Sequence, residues 1–365
     1  MQNKVKQILK NFDIKGEVKD ISPYGEGHIN STFKVVTDAE KYVLQKINNS
    51  IFKDVPALMK NITMVTDFIR EKLKEKGGDE KREVLTVIKT KNGENYYFDG
   101  DDYYRVYLFI DDTVSYQQVE TAEDFYQVAL AFGNFSNLLA EFDASLLSET
   151  IPFFHDTRKR FETFKASFLA DKVSRAKDAK EEIDFVLARK NLVGKIADKI
   201  DSKEIPLKVT HNDTKLNNVL IDVKSGKPVC VIDLDTIMPG SILYDFGDSI
   251  RFGCNTALED EKDLFKVNFN IDLFEKFTNG YIYSQRETIT KTEVDNLALS
   301  AIMMTFECGM RFLTDYLDGD VYFKIHRDGH NLDRCRTQFK LVSAMEERFN
   351  EMNAICEKYY KKYCK

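Results

Sequence analysis

The sequence predicts an α+β protein in which a small, strand-rich N-terminal lobe precedes a larger, mainly helical one. Three observations predict it. Short apolar and β-branched runs, separated by glycine or polar turns, fill the first hundred or so residues. From Thr121 onward, apolar residues recur at helical spacing. Between the helical stretches lies a segment of short strands that carries two polar motifs. One is His211-Asn212-Asp213-Thr214-Lys215-Leu216-Asn217-Asn218; the other is Val231-Ile232-Asp233-Leu234-Asp235.

The elements follow in order. Residues 18–22, 29–37 and 42–47 read as strands, parted by Gly25-Glu26-Gly27 and by the polar turn 37–41. A helix is predicted over 55–74, with Leu58, Ile62, Val65, Ile69 and Leu73 on one face. Strands over 83–89 and 95–98 lead to the run Tyr103-Tyr104-Arg105-Val106-Tyr107-Leu108-Phe109-Ile110. A first lobe over 1–112 and a second over 113–365 follow from this order. Thr121-Ala122-Glu123-Asp124 has the form of a helix start, an acidic residue three places after a capping threonine. Phe125, Val128, Ala129, Phe132, Leu138, Leu139 and Phe142 then recur as a core face. Further helices are predicted over 156–169, 180–200, 271–286, 291–317 and 328–363.

Composition excludes several classes. A formal net charge of −7 with both signs interspersed argues against nucleic acid as the main partner, because neutralising its phosphates needs a basic face. None of the six cysteines has zinc-site spacing, so free thiols in a reducing cytoplasm are expected. The lysine-rich start has no apolar h-region, and no run of about eighteen apolar residues is present, so neither a signal peptide nor a membrane span is expected. A monomer or weak oligomer acting on small molecules is the expectation, with no nucleic acid or membrane partner.

The motifs carry the chemistry. The first reads H-x-D-x-x-x-x-N, and Asp233 stands fifteen positions after Asn218 at the end of an apolar strand. Together they have the pattern of a kinase-like catalytic loop and metal-binding aspartate. Phosphoryl transfer needs a hydroxyl aimed at the γ-phosphorus and cations on the developing negative charge. Asp213 is the candidate to orient the acceptor hydroxyl and take its proton, and Lys215 to reach the γ-phosphate. Asn218 and Asp233 supply a neutral and a charged oxygen suited to Mg²⁺. Asp235 joins a second metal or braces the loop, and His211 is read as structural. Gly25 and Gly27 let backbone amides approach phosphates, although Gly-x-Gly is also a hairpin turn and Asn30 stands where a third glycine would. Gln45 and Lys46 point to opposite faces of a strand, so one faces the nucleotide; charge favours Lys46, whereas Gln45 stands where related folds often carry the basic residue, and Asp67 or Glu71 is either its helix partner or a surface charge. Phe109, Ile110 and Asp111 lie either at an ordinary strand end or where backbone groups would read the adenine.

Gly27-His28-Ile29-Asn30-Ser31-Thr32-Phe33, 42–48, 210–220, 232–240 and Asp245-Phe246-Gly247-Asp248-Ser249-Ile250-Arg251 resemble the N-acetylhexosamine 1-kinases. Those belong to the aminoglycoside phosphotransferase and choline kinase superfamily. The resemblance runs from about residue 18 to 324, with a serine at Ser31 where an acidic residue is expected. It implies the two-lobed protein-kinase-like fold, ATP as donor, Mg²⁺ as cofactor, and phosphorylation of the anomeric hydroxyl of GlcNAc or GalNAc. It also implies sugar contacts from Asp213, Arg311, Tyr322 and His28. Arg311 and Asp315, four apart on a helix, can equally pair with each other. Choline, homoserine or an aminoglycoside is the alternative acceptor, and a nucleotide-binding pseudokinase the alternative class.

Overall fold

The computed structural model describes residues 2–25 and 29–364. The chain opens with helix α1 (Gln2–Leu9), then strands β1 (Val18–Pro23), β2 (Ser31–Thr37) and β3 (Lys41–Ile47), and helix α2 (Val55–Lys76). Four strands follow: β4 (Val87–Ile88), β5 (Tyr97–Phe98), β6 (Tyr103–Leu108) and β7 (Thr113–Val114). Helices α3 (Ala122–Leu138), α4 (Thr157–Ala170), α5 (Lys180–Ala188) and α6 (Ala197–Asp201) lead to β8 (Lys208–Thr210), β9 (Val219–Asp222), β10 (Pro228–Val231) and β11 (Met238–Gly240). Five helices complete the chain: α7 (Ile242–Gly253), α8 (Ile271–Ser284), α9 (Lys291–Asp318), α10 (His330–Glu347) and α11 (Phe349–Tyr363).

These elements form two compact units. The first comprises Met1–Ser115, Glu141–Pro152 and Asn218–Pro239; the second comprises Tyr116–Ala140, Phe153–Asn217 and Gly240–Lys365. This division differs from a single cut after residue 112. Asn61, fully buried on α2, supplies one reason: its amide donates to the Ser148 and Ile237 carbonyls at 2.8 and 3.0 Å and accepts from the Ser148 N–H at 2.9 Å. A buried amide that makes three such bonds binds two remote segments to the N-terminal part of the chain.

In the first unit an antiparallel sheet runs β1-β2-β3-β6-β4, with β5 also on β6, and a three-stranded sheet runs β10-β9-β7. Val5, Ile8, Leu9 and Phe12, at the lysine-rich start, pack with Ile21, Val35, Tyr42, Leu44, Tyr104 and Val106 of the larger sheet. Each such side chain contributes roughly 1.5–3 kcal/mol by burial, which explains why a segment polar on average is helical and fixed. The predicted face of α2 is buried throughout. Its N-terminus is capped by Asp54, which accepts from the Ala57 N–H, and its C-terminus by Gly77 at φ 69°.

The second unit is built from helices. α9 packs against α4, α7, α10 and α11, and α3 against α8. By length and composition α9 is apolar enough to cross a membrane, a character the run-length reading did not detect; 78 % of its apolar window is buried, as in a core helix. Thr121 and Asp124 form the expected capping box of α3. The predicted helix over 180–200 is broken between α5 and α6, where Gly194 adopts φ 86°. The one predicted over 328–363 begins at His330 and breaks at Arg348. α7 was not expected, because its residues were read as motif rather than as helix.

Candidate active site

In the second unit the loop 211–215 is held by α7. His211 is fully buried, edge-on to Phe132 and Phe135 with ring centroids 5.6 and 6.0 Å away. Asn212 adopts φ 65°, a left-handed conformation costly for a non-glycine residue. Asp245 stabilises it, its carboxylate accepting the His211 and Asn212 N–H groups at 2.9 and 2.7 Å. Burial pushes the Asp245 carboxyl up to about 6, against the pull of His211 and those amides. Thr214 donates its hydroxyl to the Asp245 carbonyl at 2.6 Å and its N–H to the Asp248 carboxylate at 3.2 Å. Arg251 Nε grips the other Asp248 oxygen at 2.9 Å. Burial would raise Asp248, yet Arg251 and Lys215 hold it below the usual carboxylate range.

Asp245-Phe246-Gly247 therefore lies on a helix and serves the loop. Gly247 is required by packing: a Cβ there would lie 2.5 Å from the Ser300 carbonyl of α9. The strap that carries Glu259 adds a further ion pair to Arg251 at 3.1 Å. Asp213 and Lys215, the two candidate catalytic residues, are brought together at 2.7 Å. Burial lowers the Lys215 pKa but Asp213 more than offsets this, so it stays above the ordinary lysine value.

The loop runs on into the first unit at Asn218, whose carbonyl accepts the Ile232 N–H at 2.9 Å, so the candidate metal ligands Asn218 and Asp233 sit on adjacent backbone. Asp233 is exposed and adopts φ 60°, a second left-handed non-glycine residue. Among the described residues no group of three or more His, Cys, Asp or Glu could hold a metal. Two hard oxygens are nevertheless what a Mg²⁺ completed by phosphates and water requires, so the pair fits that ion.

Asp235 differs from the metal-ligand expectation. Its carboxylate forms an ion pair with the guanidinium of Arg105, 1 % exposed, and its other oxygen accepts from Asn30 Nδ2 at 2.6 Å. Both oxygens are committed, which is bracing. Asn30 also accepts the Asn48 N–H at 2.9 Å, a bridging role that a third glycine could not fill.

Arg105 also decides between Gln45 and Lys46. Lys46 points outward to Asp102 at 2.8 Å and is 42 % exposed. Gln45 lies opposite Arg105 on the sheet, accepts from its Nε at 2.9 Å and donates to Thr32 at 3.1 Å. The buried basic group is thus Arg105, on β6. Burial disfavours its charge, but Asp235 holds its pKa above the ordinary value. Asp67 and Glu71 are exposed, and Glu71 pairs with Lys74. A visible signal was available: Arg105 is the lone charge in an otherwise apolar and aromatic run.

At the connection after β6, Phe109 meets Tyr24 edge-on at 5.5 Å, and Lys34 sits over its ring at 4.1 Å. The Ile110 carbonyl accepts the Thr113 hydroxyl at 2.9 Å, and the Asp111 carbonyl accepts from Arg82 at 3.2 Å. The Asp111 side chain pairs with Lys41 at 2.6 Å. Gly25 adopts φ 78°, and among the described residues nothing lies within 4 Å of where its Cβ would be. Gly27 and His28 lie outside the described residues.

Arg311, on α9, is flanked by Phe154 and Phe323 at 5.6 and 5.5 Å, and makes no hydrogen bond or ion pair among the described residues. The alternative pairing with Asp315 is not formed. Asp315 instead accepts the backbone N–H groups of Val321, Tyr322 and Phe323 at 2.9, 2.7 and 2.9 Å, and Asn331 at 2.8 Å. It thereby fixes the turn that presents Tyr322, which is 65 % exposed. His155 and Arg160 were not singled out in the sequence, and nothing local marks them. Buried Glu307 accepts from His155 Nδ1 at 2.8 Å and from the Thr157 hydroxyl at 3.0 Å. Burial would raise Glu307, but His155, Arg160 and Arg311 hold it below the usual carboxylate value. Asp248 in turn feels His155, and Lys215 feels Asp248.

Comparison with known proteins bears on the fold and the family. Among solved structures the chain is similar to a microcompartment-associated aminopropanol kinase, at 14 % identity and TM-score 0.61, covering 97 % of this chain and 99 % of that one. It is similar to an aminoglycoside phosphotransferase from Alicyclobacillus acidocaldarius, at 12 % and 0.59, with 98 % and 96 % covered. It is also similar to a Plasmodium vivax ethanolamine kinase, at 15 % and 0.53, with 91 % and 84 % covered. At such identities the likeness is one of fold, an α+β kinase-like fold. The model of the phosphotransferase enzyme family designated APH matches residues 20–269, which include the candidate catalytic loop, Asp233 and α7. The chain belongs to the APH phosphotransferase enzyme family.

Proposed function

We propose that this phosphotransferase uses ATP to phosphorylate the anomeric hydroxyl of an N-acetylhexosamine, GlcNAc or GalNAc, giving the sugar 1-phosphate. Asp213 orients the acceptor hydroxyl and takes its proton as the bond to the γ-phosphorus forms. Lys215 steadies the Asp213 carboxylate and offers positive charge to the transferring phosphoryl group. Asn218 and Asp233 hold Mg²⁺, which when bound neutralises phosphate charge. Asp245, Asp248 and Arg251 keep the loop in its left-handed turn; Arg105 and Asp235 brace the strand end that carries Asp233.

The observation that carries the acceptor assignment is Arg311. A rigid fork of donors, none spent on a protein partner among the described residues and lying between two aromatic rings, suits the hydroxyl and carbonyl oxygens of a neutral sugar. The second reading is a kinase of an amino alcohol or aminoglycoside, favoured by the names of the proteins with similar folds. It calls for a carboxylate and aromatic cage around an ammonium group, whereas Glu307 and Asp315 already have partners. The pseudokinase alternative requires a broken catalytic set, and Asp213, Asn218 and Asp233 are all present.

An ATP-dependent assay over GlcNAc, GalNAc, choline, ethanolamine, aminopropanol, homoserine and an aminoglycoside tests the reading. Turnover of an amine-bearing acceptor with none of either acetylated sugar would sink the substrate assignment. Asp213→Asn lowers kcat by about 10²–10⁴ with the fold intact; full activity in that variant would sink the mechanism. Nucleotide binding without turnover on any acceptor would favour the pseudokinase.

A further inference from the structure

Between α7 and α8 the chain runs as a strap, residues 254–270. Its ends are closed. Asn255 and Phe269 form an antiparallel bridge, the Thr256 N–H donates to the Asn268 carbonyl at 3.1 Å, and the Asn270 N–H donates to the Cys254 carbonyl at 2.9 Å. Cys254, Val267 and Phe269 are buried at those ends, whereas Leu258 and Phe265, in the middle, are exposed. The middle is held less by burial than by polar clips at three consecutive residues. Glu259 accepts from Arg251 Nη1 at 3.1 Å with one oxygen, and its other oxygen lies 3.8 Å from Arg334 Nε. The Asp260 carboxylate accepts from Arg327 Nη1 at 2.8 Å and meets His330 Nε2 at 3.0 Å. The Glu261 carbonyl accepts the Thr337 hydroxyl at 3.0 Å.

The clips lead to two different places. Arg251 grips Asp248, which accepts the Thr214 N–H of the loop that carries Asp213. Arg334 donates to the Lys324 carbonyl and to the Asn331 side chain at 3.2 and 3.4 Å, and Asn331 donates to Asp315, the carboxylate that fixes the turn of Tyr322. Arg327 lies between that turn and α10, and His330 opens α10. We propose that the strap is a positioning clamp: Glu259 and Asp260 set the Tyr322 turn against the Asp213 loop, and neither residue touches the reactants. The inference rests on the reading of Asp213 as the group that takes the acceptor's proton and of Tyr322 as an acceptor contact, and it holds for any acceptor. In-line transfer is sensitive to placement, since an ångström of misplacement costs about 10²-fold in rate. Two segments a hundred residues apart in sequence therefore need a common support. Because the strap closes at its ends without the clips, losing them frees its middle and leaves the fold intact.

The test uses the full-length protein with Glu259→Gln, Asp260→Asn and the double variant. With ATP and Mg²⁺, kcat/KM for GlcNAc is expected to fall several-fold in each single variant and by about 10²-fold in the double one. The KM for ATP and the melting temperature are expected to stay close to wild type. A merely structural role would instead lower the melting temperature and leave kcat/KM per folded molecule unchanged. Amide hydrogen exchange, measured without acceptor, is expected to quicken in the double variant over both 211–216 and 320–324. Wild-type kcat/KM in a folded double variant overturns the inference, as does exchange that quickens at one of those segments alone or at neither. If the double variant does not fold, the single variants decide by the same two readouts. Failure of the wild type on both GlcNAc and GalNAc defeats the substrate reading separately. The kinetic comparison then uses the acceptor that is turned over, and the exchange readout, which needs no acceptor, decides in either case.

Discussion

In the first unit the buried charge of Arg105 is met by another side chain, the Asp235 carboxylate, whereas in the second the buried carboxylates of Asp245 and Asp315 are met mainly by backbone amides. The two arrangements fail differently. A buried side-chain ion pair sets one desolvated charge against another, and removing one partner strands the other. A carboxylate that gathers N–H groups fixes the path of a loop, and removing it frees backbone that otherwise has no reason to stay in a left-handed turn. The first suits a strand end that must carry Asp233. The second suits the loop of Asp213 and the turn of Tyr322, whose shape matters more than their charge.

The largest effect on stability is expected at Arg105. Arg105→Met leaves Asp235 buried without its partner and should cost roughly 3–5 kcal/mol in urea unfolding. Combining it with Asp235→Leu should recover much of that loss, because hydrophobic replacement of both partners is commonly neutral. No recovery in the double variant would show that the two act separately.

Asp245→Asn sharpens the other side of the comparison. One amide oxygen cannot accept both N–H groups as the carboxylate does, and a stranded buried donor costs about 1–3 kcal/mol. The pH dependence has a definite sign. The folded-state pKa, about 6, lies above the ordinary value of 3.8, so the folded protein binds the proton more tightly. The stability this contributes is fully present below 3.8 and is lost as pH rises through about 6. Unfolding curves across that window should show the downward slope in wild type and its removal in Asp245→Asn; identical slopes would separate Asp245 from the effect.

The smallest effect is expected at Lys46. Its pair with Asp102 is partly exposed, and Lys46→Ala should cost roughly 0–1 kcal/mol and leave the KM for ATP unchanged. A large rise in that KM would return Lys46 to the nucleotide and weaken the distinction drawn between it and Arg105.

Much of the candidate site was legible in the sequence, for a local reason. Asp213, Lys215 and Asn218 lie within one loop, and Asp233 follows a short hairpin later, so chemistry and spacing were visible together. The helical faces of α2 and α3 were legible because a periodic apolar pattern reports burial directly. What was missed shares a different character. α1 was hidden because its buried residues are few and sit among lysines. Arg105 was visible as a lone charge in a strand, but its partner lies 130 positions later. Asp235 could be read either as a ligand or as a brace, and the choice depended on that distant arginine.

By itself the sequence determined the α+β class and the residues that could perform phosphoryl transfer, because short-range pattern and the chemistry of single side chains suffice for both. Tertiary structure alone decided that Arg105 rather than Lys46 is the buried base, that Asp315 serves a turn, with Arg311 unpaired among the described residues, and that His155 and Thr157 bond to Glu307. Each of those outcomes turns on which partner a charged group meets once water is removed, and that is set by packing between segments far apart in the chain.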